Sequence, residues 1–129
     1  MKYLAYGSNL NLKMMKDRLG KVNIVGTYIL KDYKLVCDKY LSVTKSNGDF
    51  VPCGVFEIDN KDELLLDDYE DYPSLYRKEY IENQLIYIKN EINELKPTQQ
   101  YIDDCLKGYE DFNFDKKILL KCFNETNKW

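Results

Sequence analysis

Two stretches of this chain carry side chains whose types and spacing suit chemistry. The first is Tyr6-Gly7-Ser8-Asn9, directly after the apolar run Tyr3-Leu4-Ala5 and before a helical pattern. It sits at the exit of a strand, where backbone N–H groups lose their ladder partners. Gly7 lets the backbone approach a ligand or adopt positive φ. Ser8 and Asn9 are both helix-capping types, and free N–H groups at a helix start attract anions and oxyanions. A cradle for a carboxylate or carbonyl is one reading; an ordinary strand-to-helix turn is the other.

The second stretch is Leu65-Leu66-Asp67-Asp68-Tyr69-Glu70-Asp71-Tyr72-Pro73. Four carboxylates crowd a helix C-terminus, the end where negative charge is unfavourable. At 100° per residue, Tyr69 and Glu70 fall within about 60° of Leu66, on the apolar side. Asp67 lies about 100° away, Asp71 about 140° and Asp68 about 160°, all toward water. Glu70 is the carboxylate expected to point inward. Apolar walls, neighbouring carboxylates and the helix end would all disfavour its charged form. That environment suits a general base working near neutral pH, although a purely structural acidic cluster perturbs proton affinity too. Arg77, downstream of Pro73, is placed to reach Glu70 or Asp71, either as a rim ion pair of small worth or as a substrate contact.

The remaining composition removes several kinds of chemistry. The chain has no histidine, so His-based triads and His-ligated metals are excluded. Cys37, Cys53, Cys105 and Cys122 show no C-x-x-C spacing and, with no leader ahead of a strand at residue 2, read as reduced thiols of a cytoplasmic protein. A net charge of −3, with 19 basic and 22 acidic side chains interspersed, argues against nucleic acid as the main partner. No apolar run has the length of a membrane span. The 12 tyrosines suit a pocket with apolar walls and hydroxyl tips.

The elements that must hold these residues follow from pattern. The 129 residues fit one domain over 1–129, large enough for its own core. Lys2 to Tyr6 reads as a buried strand. Asn9 or Asn11 caps a helix bearing Leu12, Met15, Arg18 and Leu19, which Gly20 ends. Strands are expected over 22–30, 34–37, 41–44 and 50–58, broken by turns at Lys31-Asp32 and Ser46-Asn47-Gly48-Asp49. Gly54 marks a bulge or a close approach. Asp59-Asn60 caps a helix over 61–69. A tight hairpin joins 76–82 to 85–89, with Tyr80, Ile86 and Ile88 as its apolar positions. Thr98 caps a helix whose stripe is Ile102, Cys105, Leu106 and Tyr109, and Asp115 caps a last one carrying Ile118, Leu119, Cys122 and Phe123. The class is α+β, and about six or seven strands in so short a chain predict a small β-barrel flanked by helices.

Four motifs, in order, resemble the gamma-glutamylcyclotransferase family. Tyr3-Leu4-Ala5-Tyr6-Gly7-Ser8-Asn9-Leu10 is similar to that family's opening strand and loop, and Gly54-Val55-Phe56-Glu57-Ile58 to the strand before its acidic segment. Leu66 to Pro73 with Tyr76-Arg77 resembles the acidic segment itself, and Pro97-Thr98-Gln99-Gln100-Tyr101 the start of its late helix. The resemblance implies a small mixed β-barrel with helices around it and an acyl transfer by intramolecular aminolysis. The α-amino group of a γ-glutamyl compound attacks its own γ-carbonyl, releasing 5-oxoproline and an amine. Glu70 would accept the proton, Tyr3, Leu4, Ala5, Tyr6, Gly7 and Ser8 would bind the glutamyl moiety, and Tyr101 would line the same pocket. No cofactor, metal or covalent intermediate is implied, and the partner is a small γ-glutamyl substrate rather than nucleic acid or membrane. The sequence departs from the family at Asp71, where a glycine usually follows the glutamate. A non-catalytic module that binds a small amino-acid-like ligand in the same pocket is the alternative reading.

Overall fold

A computed structural model describes residues 1–126. Its organising element is the first strand, β1 (Lys2–Ala5), which lies between β3 (Leu41–Glu57), antiparallel to it, and β5 (Gln84–Lys89), parallel to it. A strand with partners on both sides has no wet edge, and Tyr3, Leu4 and Ala5 are accordingly buried. Two further strands, β2 (Ile24–Cys37) and β4 (Tyr76–Ile81), complete one mixed sheet in the order β2-β3-β1-β5-β4.

This sheet has five strands and is open, with β2 and β4 at its edges; the expected barrel of six or seven strands is not what forms. The difference comes from two turn signals that face each other across one ladder. Lys31 pairs with Phe50 and Tyr33 with Lys45, so Asp32 alone stands opposite residues 46–49. Gly48 donates its N–H to Asp32 Oδ1 at 3.0 Å, closing the bulge locally. Both strands bend there and continue, so four expected strands are two long ones. A bulge that bends a strand and increases its twist does this without reversing the chain. The bend carries the far tip of the hairpin, Asp38 to Leu41, over the end of β1, where Leu41 lies against Gly7.

The helices are α1 (Leu12–Leu19), α2 (Asn60–Tyr69), α3 (Gln99–Asp111) and α4 (Lys117–Thr126). Asn11, not Asn9, caps α1 by accepting the Met14 N–H, and Gly20 ends it in the left-handed region. Asp59 and Asp62 form a reciprocal capping box at the start of α2. Thr98 caps α3, and Asp115 accepts the N–H of Lys117 at the start of α4. Helices α1 and α2 each send one fully buried apolar side chain into the core, Met15 and Leu66, worth about 1.5–3 kcal/mol apiece. Glu82 and Asn83, both at positive φ, form the two-residue turn between β4 and β5. Ile86 and Ile88 are buried as expected, whereas Tyr80 faces solvent.

Two glycines set how closely α3 docks. A Cβ on Gly108 would sit 2.7 Å from the backbone nitrogen of Asn11, and one on Gly54 would sit 2.7 Å from the Phe112 ring. Gly54 is therefore a point of close approach. The four cysteines are free and buried, and Cys105 belongs to the core. No helix among the described residues is long and apolar enough to cross a membrane.

Candidate functional site

Chain topology brings both chemical stretches to one place. After β1 the backbone leaves the sheet as Tyr6-Gly7, then makes a 3-10 turn over Ser8–Leu10 that α3 covers. Helix α2 ends beside it, because Met15 of α1 and Leu66 of α2 are anchored in the same core. Between them lies a cavity of about 290 Å³. Its walls come from Tyr3, the bend Tyr6-Gly7-Ser8-Asn9, the hairpin tip Tyr40-Leu41, the helix end Tyr69-Glu70-Asp71, and Leu75, Tyr76, Tyr87 and Tyr101.

Seven of the 12 tyrosines line this space, and their hydroxyls mostly bolt its frame. Tyr6 donates to the Tyr87 carbonyl at 2.6 Å and Tyr76 to the Leu41 carbonyl at 2.7 Å. Tyr101 Oη accepts the Leu41 N–H at 2.9 Å, and Tyr69 Oη lies 3.2 Å from Ser8 Oγ. Each bond ties a different element to the cavity rim, which fixes the rings and leaves their faces as apolar walls.

Glu70 is half-buried and its carboxyl faces the cavity. Burial raises its proton affinity to a pKa of about 7, against the pull of the Arg18 and Lys89 charges. Its Oε1 accepts a hydrogen bond from Asn9 Nδ2 at 3.3 Å. Across the space, the N–H groups of Gly7, Ser8 and Asn9 donate to no acceptor among the described residues. Gly7 has φ −129°, so its role is not left-handed backbone. A Cβ there would lie 3.4 Å from the Leu41 side chain and 3.5 Å from the Tyr101 hydroxyl, ordinary contact distances that would narrow the cavity without a clash.

Of the residues singled out from the sequence, the structure brings Tyr3, Tyr6, Gly7, Ser8, Glu70 and Tyr101 together around one cavity. Leu4 and Ala5 are buried in the sheet and do not line it; alternation turns Leu4 to the face opposite Tyr3. The remaining carboxylates divide differently from the helical-wheel expectation. Asp67 does not face water: it accepts from the Tyr87 hydroxyl at 2.6 Å and pairs with Lys78 at 2.9 Å. Asp71 lines the cavity. Arg77 does not reach the acidic cluster; it pairs with Glu79 at 2.8 Å and donates to the Lys89 carbonyl. Lys78 takes that part because adjacent residues on a strand point to opposite faces, and its face meets α2.

Sequence reasoning passed over three groups. Arg18 stacks on the Tyr69 ring at 3.5 Å and donates to Asn9 Oδ1. Asp38 and Lys89 form an ion pair at 3.2 Å with both side chains only 2% exposed. Asp38 also accepts the N–H groups of Tyr40 and Asn93, so the pair pins the hairpin tip that roofs the cavity. Their polar types gave no sign of burial, and only the tertiary crossing puts them here.

Comparison with known proteins follows the same lines. A family model described as "Gamma-glutamyl cyclotransferase, AIG2-like" matches residues 3–104. Among solved structures, one titled "Gamma-glutamyl cyclotransferase" superposes with a TM-score of 0.75 at 18% identity, covering 98% of this chain and 86% of that one. An uncharacterized protein from Homo sapiens gives 0.73 at 20% identity, covering 98% and 85%. YkqA from Bacillus subtilis gives 0.79 at 19% identity, covering 98% of this chain and 54% of that one. At these identities the likeness is one of fold. Among curated proteins, no sequence matches.

Proposed function

The chain belongs to the gamma-glutamyl cyclotransferase, AIG2-like family, and from that premise we propose that it is a cyclotransferase-type enzyme converting a γ-glutamyl amine, amino acid or peptide into 5-oxoproline and a free amine. The observation that carries the reading is the cavity in which Glu70, with its pKa raised to about 7, faces the bend at Tyr6 to Asn9.

The chemistry then needs little from the protein beyond placement and one proton. The substrate enters with an α-ammonium, which cannot attack. Glu70 takes one proton from it, and the free amine adds to the γ-carbonyl of the same molecule. The carbonyl π electrons move to oxygen, and the N–H groups of Gly7 and Ser8 stabilise that developing charge. Glu70 gives its proton to the leaving nitrogen as the old C–N bond breaks and the carbonyl re-forms. It then takes the second proton lost by the attacking nitrogen and passes it to the freed amine, so the amine leaves as an ammonium with both protons and Glu70 is a carboxylate again. Holding the chain of the glutamyl group in its folded form supplies the proximity, since nucleophile and electrophile are already one molecule. Tyr3, Tyr6, Gly7 and Ser8 are the residues we assign to that folding, with Tyr101 on the facing wall.

A carboxyl with its pKa near 7 is half ionised at neutral pH, which balances the fraction able to accept a proton against its strength as a base. The decisive test is a direct assay for 5-oxoproline with a panel of γ-glutamyl amines, amino acids and peptides. Release of 5-oxoproline from at least one, lost in Glu70→Gln, is the expected result. Binding across the panel without product would instead identify a ligand-binding module.

A further inference from the structure

The carboxamide of Asn9 touches the carboxyl of Glu70, and the side chain behind that carboxamide is Arg18. Asn9 is 4% exposed, so its amide has no bulk water to satisfy it. All its contacts are to protein: Oδ1 accepts from Arg18 Nη1, and Nδ2 donates to Tyr3 Oη at 2.8 Å and to Glu70 Oε1 at 3.3 Å. A guanidinium has no acceptor, so the amide atom facing Arg18 must be the oxygen. The NH2 end is then left for Glu70.

The orientation matters chemically. An amide N–H can donate only to an unprotonated oxygen, so it favours the carboxylate. The flipped amide would offer Oδ1, which repels a carboxylate and accepts from a carboxylic acid. A flip would therefore stabilise the protonated form and disable a base. Arg18 is well placed to prevent it. Its guanidinium lies 3.5 Å from the Tyr69 ring centroid, and it makes no ion pair among the described residues.

We propose that Arg18 is a positioning residue: it locks the Asn9 carboxamide so that its NH2 end, never its oxygen, faces Glu70. The lock occupies Oε1, and Oε2 accepts no hydrogen bond among the described residues, so Oε2 is the oxygen that takes the proton. The inference rests on Glu70 being the base, but its test does not use turnover.

Other ionisable groups also face Glu70. They are Tyr3 on β1, Tyr6 after it, Tyr69 and Asp71 at the end of α2, Tyr76 on β4, Lys89 on β5 and Tyr101 on α3. Arg18→Met also removes the cation stacked on Tyr69, and Asn9→Ala the donor to Tyr3, so it is the effect of Arg18→Met compared between the two backgrounds that isolates the path through Asn9. The experiment is a pH titration of the Glu70 side-chain carboxyl carbon by NMR in the full chain. It is run for the wild type, Arg18→Met, Asn9→Ala and the double variant. The lock predicts that Arg18→Met raises the midpoint by roughly one unit and that the same change in the Asn9→Ala background raises it by less than half as much. An equal rise in both backgrounds would mean that Arg18 acts as a distant charge alone, and no rise would mean that it only packs; either overturns the proposal. Should Arg18→Met fail to fold, Arg18→Gln is compared in the same two backgrounds under the same criteria. Absence of 5-oxoproline from the wild type would count against the enzymatic reading and leave this titration intact.

Discussion

The side chains of Asn9 and Glu70, 61 positions apart, meet at 3.3 Å between Nδ2 and Oε1. One belongs to the bend that follows the central strand, the other to the C-cap of α2. Their meeting means that the free N–H groups of the bend and the raised carboxyl address the same space. A substrate with an amino group and a carbonyl a few bonds apart can touch both at once.

Glu70→Gln separates catalysis from folding. Loss of the base is expected to lower kcat by roughly 10²–10⁴-fold. The same change should stabilise the protein at high pH. A carboxyl with folded pKa near 7 and an ordinary value of 4.5 binds its proton more tightly in the native state. Native stability is therefore undiminished below pH 4.5, falls as pH rises toward about 7, and is flat above it. The whole loss is bounded by about 3 kcal/mol. Thermal unfolding at pH 4.5 and pH 8 checks this: Glu70→Gln should raise Tm relative to wild type only at the higher pH. Equal shifts at both would remove the buried-carboxyl account.

Asp71→Gly tests the departure from the family pattern. Asp71 has φ 51°, a left-handed conformation that glycine adopts without strain. Relief of that strain, about 1 kcal/mol, is nearly offset by the greater freedom glycine has when unfolded. Net stability should change by less than about 0.5 kcal/mol. The larger effect is electrostatic, since Asp71 also lines the cavity. Removing one negative charge there is expected to lower KM for a carboxylate-bearing substrate roughly five-fold. Steady-state kinetics on γ-glutamyl compounds with and without a carboxylate on the leaving amine would detect it, and an unchanged KM for both would place Asp71 outside the substrate's field.

Gly108→Ala probes the docking of α3. Alanine is the better helix former by about 1 kcal/mol. Here its methyl would meet the Asn11 backbone at 2.7 Å, an atom that cannot swing aside. Overpacking of this kind costs about 1–3 kcal/mol. The clash is expected to win, giving lower urea midpoints, and to reduce activity because Asn11 and Leu10 directly follow the Gly7-Ser8-Asn9 bend. A variant more stable than wild type would show that α3 can retreat freely.

The sequence made local features legible and tertiary ones obscure, for physical reasons visible at single residues. Asn11, Gly20, Asp59 and Thr98 act through bonds within four positions, and all four helix signals describe the structure. The inward aim of Glu70 followed from helical period alone. Asp67 is misplaced by the same wheel, because the partners that draw it in, Tyr87 and Lys78, sit on strands the wheel cannot see. The turn signals at Asp32 and Gly48 were real, but their meaning depends on facing each other across a ladder. Register is a pairwise property, so two bends were read as two reversals and an open sheet as a barrel.

Lys89→Met examines the ion pair behind the cavity. Asp38 and Lys89 are 3.2 Å apart and almost wholly buried, and Tyr76 and Tyr40 place their rings 5.5 and 5.7 Å from the ammonium. Removing Lys89 alone leaves the Asp38 carboxylate in a dry site, at an expected cost of about 3–5 kcal/mol. Part of that strain should appear as a loosened hairpin tip, because Asp38 is what holds the Tyr40 and Asn93 N–H groups. The Lys89 charge also counts among those lowering the pKa of Glu70, so the acid limb of the pH–rate profile should move up. The double variant Asp38→Asn, Lys89→Met tells these effects apart. Without a stranded charge it should regain most of the stability, measured by urea unfolding, while the acid limb stays displaced. Recovery of both together would mean that Lys89 influences the base only by holding the roof in place, and recovery of neither would mean that the tip depends on the lysine stem rather than on its charge.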